Sequence, residues 1–226
     1  MVNLLQTYFK EVINNWRIAF QQRNIRLQFI LTAVSYIFLF KYCRMVMVIF
    51  EQRKGIQIID PLLTRLPVVD SSTLIFSLTY SALAIFILTN LNNPMRFIKG
   101  MQAYTLLLTM RTITIYLVPL EPPIGMIVLK DTVSNFFMNS GNGTYIVKDL
   151  FFSGHISAIM LFFLVAENKT IKIILVSLAV VIASLILLQR VHYTMDIIAA
   201  PFFSYLAIKT VAALNKQSLT IPVVQE

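Results

Sequence analysis

Residues 170–207 read TIKIILVSLAVVIASLILLQRVHYTMDIIAAPFFSYLA, and this stretch decides the fold class. Thr170 to Gln189 carries one charge, Lys172, and is otherwise almost wholly aliphatic. A helix needs roughly 20 mostly apolar residues to cross a bilayer core, and this segment supplies them. Only Arg190 and Val191 separate it from a second apolar run, His192 to Leu214. So short a connection makes the two helices antiparallel neighbours. The second run opens on His192 and Asp196.

Four further segments have the same character: Leu27 to Phe50, Ser72 to Leu91, Phe97 to Val118 and Leu150 to Glu167. The expectation is an all-α polytopic membrane protein with six transmembrane helices. Composition agrees. The chain of 226 residues is 58% hydrophobic and 13% charged, against about 25% charged in soluble domains. The formal charge of +9 would suggest nucleic acid in a soluble protein. Here it is read as cations in cytoplasmic loops and against lipid phosphates, with no nucleic-acid partner. The single cysteine, Cys43, excludes an internal disulfide and makes a cysteine-based metal site improbable on composition.

The N-terminal stretch YFKEVINNWRIAF, Tyr8 to Phe20, mixes apolar and polar positions at helical spacing. It reads as an interfacial helix with Trp16 near the headgroups; the alternative is a disordered tail. Lys10, Glu11, Arg17, Arg23 and Arg26 stand where a cleavable signal would need an apolar core. The expected organisation is an N-terminal helix over 1–26, a catalytic membrane domain over 27–214 and a tail over 215–226. Two connections are long: Glu51 to Ser71, with DPLLTRLPVVD, and Pro119 to Asp149, with PLEPPIG and SGNGTY. Two helices separate them, so both should cover the same face.

With the N-terminus inside, the inner segments hold Lys10, Arg17, Arg23, Arg26, Arg96, Lys99, Lys169, Lys172, Lys209 and Lys216. The outer loops hold fewer, Arg53, Lys54, Arg65, Lys130, Lys148 and Arg190. The bias puts both termini in the cytoplasm and both histidines on the extracytoplasmic face. Asn142-Gly143-Thr144 and Asn168-Lys169-Thr170 fit the glycosylation triplet, a pattern that also arises by chance.

His192 and Asp196 are four apart and share a face if both are helical. The carboxylate would fix the imidazole tautomer and leave the other ring nitrogen basic. A structural pair at a helix start is the plainer alternative. His155 follows Ser153 and Gly154 at the start of the fourth segment, at the same depth. Helix N-termini bind anions, and glycine permits close approach of a phosphate. Two imidazoles across an anion site suit in-line phosphoryl transfer, one attacking phosphorus and the other protonating the leaving oxygen. Lys41, Arg44 and Arg111 lie within membrane segments, Arg111 roughly 10 Å deep. Cations there are costly unless paired or hydrated. They either neutralise a lipid phosphate, or snorkel, or pair with Glu51, Glu121 or Asp149. Lys148 and Arg190, just before the fourth and sixth segments, are further phosphate-binding candidates, or simply interfacial residues.

KDLFFSGHISAIMLFF and RVHYTMDIIAAPFFSYLA resemble the two catalytic motifs of sphingomyelin synthase-like proteins, a branch of the type 2 phosphatidic acid phosphatase superfamily. The motifs stand here as Ser153-Gly154-His155 and His192-Tyr193-Thr194-x-Asp196, and DPLLTRLPVVDSSTLIF and RTITIYLVPLEPP extend the likeness over roughly residues 55–210. The resemblance implies a six-helix enzyme with a lumenal or periplasmic site, no metal or other cofactor, and a phosphohistidine intermediate. It implies His192 as nucleophile, Asp196 as its orienting partner and His155 as the acid. Its substrates would be membrane phospholipids, with a lipid hydroxyl as acceptor, as in sphingomyelin or ceramide phosphoethanolamine synthesis. The chain departs from the phosphatase members of the superfamily at Phe152, where they carry Pro, and at Ile186, where they carry Arg. It also lacks a clear Lys…Arg-Pro motif. These departures favour headgroup transfer. Hydrolysis of a lipid phosphate is the alternative, and a non-catalytic lipid-binding or scaffold protein is a third. Headgroup and oligomeric state are not legible.

Overall fold

The computed structural model describes residues 2–130 and 146–215, with backbone only for residues 2–5 and Arg44. The expected tail over 215–226, the Asn142 triplet and the side chain of Arg44 therefore lie outside the described residues, all but Asn215 in the case of the tail. Among the described residues there are seven α-helices and no strands beyond one isolated bridge. They are α1 (Val2–Gln21), α2 (Arg23–Glu51), α3 (Ser72–Asn90), α4 (Pro94–Leu117), α5 (Gly154–Val165), α6 (Lys169–Leu188) and α7 (Thr194–Leu214).

Local chemistry sets the boundaries. Asn93 accepts the Arg96 N–H and Pro94 opens α4, a capped start with proline in the first turn. Asn168 accepts the N–H groups of Thr170 and Ile171 to start α6. At α1 the Trp16 indole donates to the Leu91 carbonyl at 2.8 Å, and Asn15 donates to Asn92. The helix expected over Tyr8–Phe20 is thus present, docked across the α3–α4 turn.

Helix α5 lies at the centre. Ile156, Ser157, Ala158, Ile159, Leu161 and Phe162 are all buried, and Phe162 stacks on Phe86 of α3 at 4.6 Å. The surrounding helices turn apolar residues outward, among them Leu31, Phe38, Val180, Ile198 and Phe202. Such surface is costly in water and ordinary in lipid. Four helices, α2, α3, α6 and α7, are long and apolar enough to cross a membrane.

The other two expected spans fall short of that measure. Helix α4 carries Arg96, Lys99 and Arg111. The segment expected over Leu150–Glu167 is helical for only twelve residues, about 18 Å against a core of about 30 Å. Its lead-in is not helical because other elements satisfy its backbone: the Ser153 N–H donates to the Asp196 carbonyl, Thr114 Oγ1 to the Phe151 carbonyl, and Arg111 to the Asp149 carbonyl. Irregular backbone at membrane depth is tolerated where protein buries it in this way.

The described parts of the two long connections cover one end of the bundle together, as their spacing predicts. Ile56 and Leu120 form a parallel bridge, and Gly55 permits it, since a Cβ there would sit 2.6 Å from the Leu120 carbonyl carbon. At the opposite end the helices are joined by short turns.

Candidate active site

Both histidines are at the loop end. Helix α7 begins at Thr194, so His192 precedes it. The expected i, i+4 pairing along one helical face is therefore corrected: Asp196 sits in the first turn and folds back over the helix start. Its Oδ2 accepts the Tyr193 N–H at 3.1 Å and lies 3.2 Å from His192 Nδ1. A carboxylate here caps an orphan N–H and sits favourably at the helix dipole. His192 is 2% exposed and Asp196 is fully buried. With Nδ1–H given to Asp196, Nε2 is left as the basic nitrogen.

Sequence reasoning treated Asp60 only as part of a packing loop. Its carboxylate accepts the Thr194 N–H at 2.7 Å and the Thr194 hydroxyl at 3.1 Å, and also the N–H groups of Leu62 and Leu63. It caps α7 from outside, beside His192. Burial pushes its carboxyl upward, but the Thr194 bonds and those of Leu63 and Leu62 outweigh this and hold it below the ordinary carboxylate value. Tyr193 ties in the same loops, donating to the Glu121 carbonyl and accepting from Ile58 N–H. The only local sequence signal for Asp60 is the turn-forming Asp60-Pro61 step.

His155 is the second residue of α5, edge-on to Phe76 of α3. It shares with His192 a cavity of about 310 Å³, which Arg111, Asp149, Gly154 and Tyr104 also line. Thus the three expected catalytic residues meet at one end, with both imidazoles on one cavity and Asp196 behind His192.

Arg111 is 7% exposed. Its Nη2 reaches the Asp149 carbonyl at 3.0 Å and Asp149 Oδ1 at 2.8 Å, while its buried Nη1 has no hydrogen-bond partner. The ion pair among the plainer alternatives is therefore present, and one end of the guanidinium remains unused. Gly154 lines the cavity and also accommodates Arg111. A Cβ there would lie 3.1 Å from Arg111 Cζ and 3.2 Å from Nη1. The missing side chain makes room for the guanidinium, which in turn faces the cavity. Ser153 is buried, its Oγ without a partner, and it does not border the cavity.

Two expected phosphate ligands are elsewhere. Lys148 Nζ donates to the Arg53 carbonyl at 2.6 Å and pairs with Glu121 at 2.8 Å. The Lys148 bond, then the Gly55 N–H, holds the Glu121 carboxyl below its ordinary value. Arg190 donates to the carbonyls of Ile124, Leu63 and Leu66. Both cations satisfy loop carbonyls and neither borders the cavity. Lys41 is exposed on α2, also away from it. Ile186, where the superfamily's phosphatases carry Arg, is fully buried in the core. The cation at the cavity comes from α4 instead. Among the described residues no group of three or more His, Cys, Asp or Glu is placed to hold a metal ion.

Residues 148–213 match the family described as PAP2 superfamily, C-terminal. The match begins at Lys148 and runs through α5, α6 and α7, so it contains both histidines and Asp196. It supports the superfamily, whose members are phosphatases and phosphotransferases acting on lipids, and it does not separate the branches. No curated protein matches the chain.

Proposed function

We propose that the chain is an integral membrane phosphotransferase of the sphingomyelin synthase-like kind, acting on phospholipid headgroups. In this reading α2 to α7 all cross the bilayer, α1 lies along the cytoplasmic interface, and both termini are cytoplasmic. The histidine cavity then opens on the extracytoplasmic face. The excess of Lys and Arg at the turn end supports this orientation.

His192 Nε2 attacks the phosphorus of a phospholipid, forming an N–P bond as the P–O bond to diacylglycerol breaks. His155 gives a proton to the departing oxygen and regains it in the second half. Asp196 holds the His192 ring and stabilises its positive charge. The Arg111 guanidinium meets the phosphate oxygens, a charge-assisted contact. In the second half His155 takes the proton of a lipid hydroxyl, whose oxygen attacks phosphorus and frees His192. No metal takes part. One observation carries the reading: two imidazoles border a single cavity together with a buried guanidinium that has a free end.

Hydrolysis differs in the acceptor, water in place of a lipid hydroxyl, and in the substrate, a lipid phosphate such as phosphatidic acid, and the family match fits it equally. The test is incubation of purified protein with headgroup-labelled phosphatidylethanolamine or phosphatidylcholine, with and without ceramide. Labelled product only with ceramide supports transfer. Free phosphate from phosphatidic acid supports hydrolysis. No turnover of any of these lipids leaves the non-catalytic reading.

A further inference from the structure

Helix α5 stops at Val165, level with Gly100, whose Cβ would sit 3.8 Å from Val165 Cγ1. Helix α4 runs on from there to Pro94 without α5 beside it. The space left is a second cavity, about 320 Å³, at the end of the bundle away from the histidines. Leu164 and Val165 form one wall, and Ile208 and Val211 of α7 another. Arg96 and Lys99, in the first two turns of α4, stand at the same cavity. Arg96 is already paired with Glu167. Lys99 is half-buried and has no hydrogen bond or ion pair among the described residues.

An unpaired cation beside an apolar wall calls for an amphiphile of opposite charge. We propose that this cavity binds an anionic phospholipid from the leaflet at the turn end of the bundle, with its phosphate on Lys99 and an acyl chain along the Leu164–Val211 wall. A free phosphate would leave the apolar wall uncovered, and a zwitterionic lipid would leave the Lys99 charge uncompensated. The site requires only that the chain is embedded in a membrane. It is separate from the histidine cavity and does not depend on the chemistry there.

The probe is phosphatidylglycerol, with phosphatidylcholine as reference, added to detergent-purified protein and counted by native mass spectrometry. The wild-type chain retains one phosphatidylglycerol in preference to phosphatidylcholine. Lys99→Gln lowers that retention roughly fivefold, the value of about 1 kcal/mol for one basic residue at an anionic surface. Lys172→Gln, which removes a cation lying over Phe163 on α6, leaves it unchanged. Val165→Trp fills the cavity and loses the lipid with Lys99 intact; it decides the matter if Lys99→Gln does not fold. Equal retention of the two lipids by the wild type overturns the proposal, as does wild-type retention by Val165→Trp or by a folded Lys99→Gln. The count needs no turnover, so an inactive enzyme does not affect it.

Discussion

Replacing Gly154 by alanine tests the proposed phosphate anchor without touching a polar group. The added methyl would stand 3.1 Å from Arg111 Cζ and 3.2 Å from Nε and Nη1. These are closer than ordinary van der Waals contacts, so the guanidinium must yield by a few tenths of an ångström. Nη2 is held by Asp149, whereas Nη1 has no partner, so the movement falls on the Nη1 side of a guanidinium whose residue lines the cavity. A misplacement of 1 Å at a reacting centre costs about 100-fold. Half of that displacement gives roughly tenfold in kcat/KM, or about 1.4 kcal/mol of transition-state stabilisation. Stability changes little, because Gly154 is the first residue of α5, where the interior preference for alanine over glycine does not apply in full, and the contact is relieved by a small shift of the guanidinium. The assay is headgroup transfer in mixed micelles, beside the thermal midpoint of the same preparation. Wild-type kcat/KM in a folded Gly154→Ala protein would falsify the assignment of Arg111 to the phosphate. A lowered midpoint with proportionate loss of active protein would assign Gly154 to packing alone.

Three further outcomes follow from the same geometry. His192→Ala abolishes turnover while the protein still elutes as a monodisperse species in detergent; wild-type rates sink its role as nucleophile. Asp60→Asn removes the negative charge and one acceptor oxygen at the start of α7, at a cost of about 0.3–1 kcal/mol, read as a lower thermal midpoint at pH 7. The Asp60 carboxyl is held below its ordinary value, so its contribution is full above about pH 4 and lost as pH falls through the depressed folded value. The midpoint of the wild type therefore drops on acidification below about pH 4, and that of Asp60→Asn drops less; equal drops would show that Asp60 has no part in it. In a Cys43→Ser background, Ile124→Cys, which is 70% exposed at the loop end, labels from outside intact cells. Labelling only after permeabilisation reverses the orientation.

The sequence made some features legible and left others hidden, for physical reasons. Apolar runs located α3, α6 and α7 to within two residues at either end, because a long aliphatic stretch has few alternatives to a helix. The start of α5 was misread by four residues. Hydropathy scores Leu150, Phe151 and Phe152 as span, whereas this lead-in is held out of the helix by groups distant in sequence, Thr114 and Arg111 among them. The two histidines stood out through their neighbours in the chain. Asp60 did not, since its partner Thr194 lies 134 residues away. Lys148 and Arg190 were sequence candidates for phosphate because both are cations beside helix starts. What they do depends on which carbonyls the loops leave unpaired, and composition says nothing about that.

Arg111 supplies a cation at the cavity in a chain that has Ile where the phosphatases of the superfamily it resembles carry an arginine. Position 186 points into a packed core, and a guanidinium there would be buried without a partner, at a cost of several kcal/mol. From α4 the long side chain crosses to the start of α5, with Asp149 neutralising one end and Gly154 leaving space for the plane. An ion pair that buries the guanidinium and leaves Asp149 half-exposed is weak evidence for stability, since desolvation offsets the attraction. Its retention here is better explained by a guanidinium with an unused end, on a residue that lines the same cavity as two imidazoles. That geometry suits an anion with several oxygens. On the proposed chemistry, Asp149 fixes the guanidinium in place before substrate arrives, so that little reorganisation is left for the transfer step.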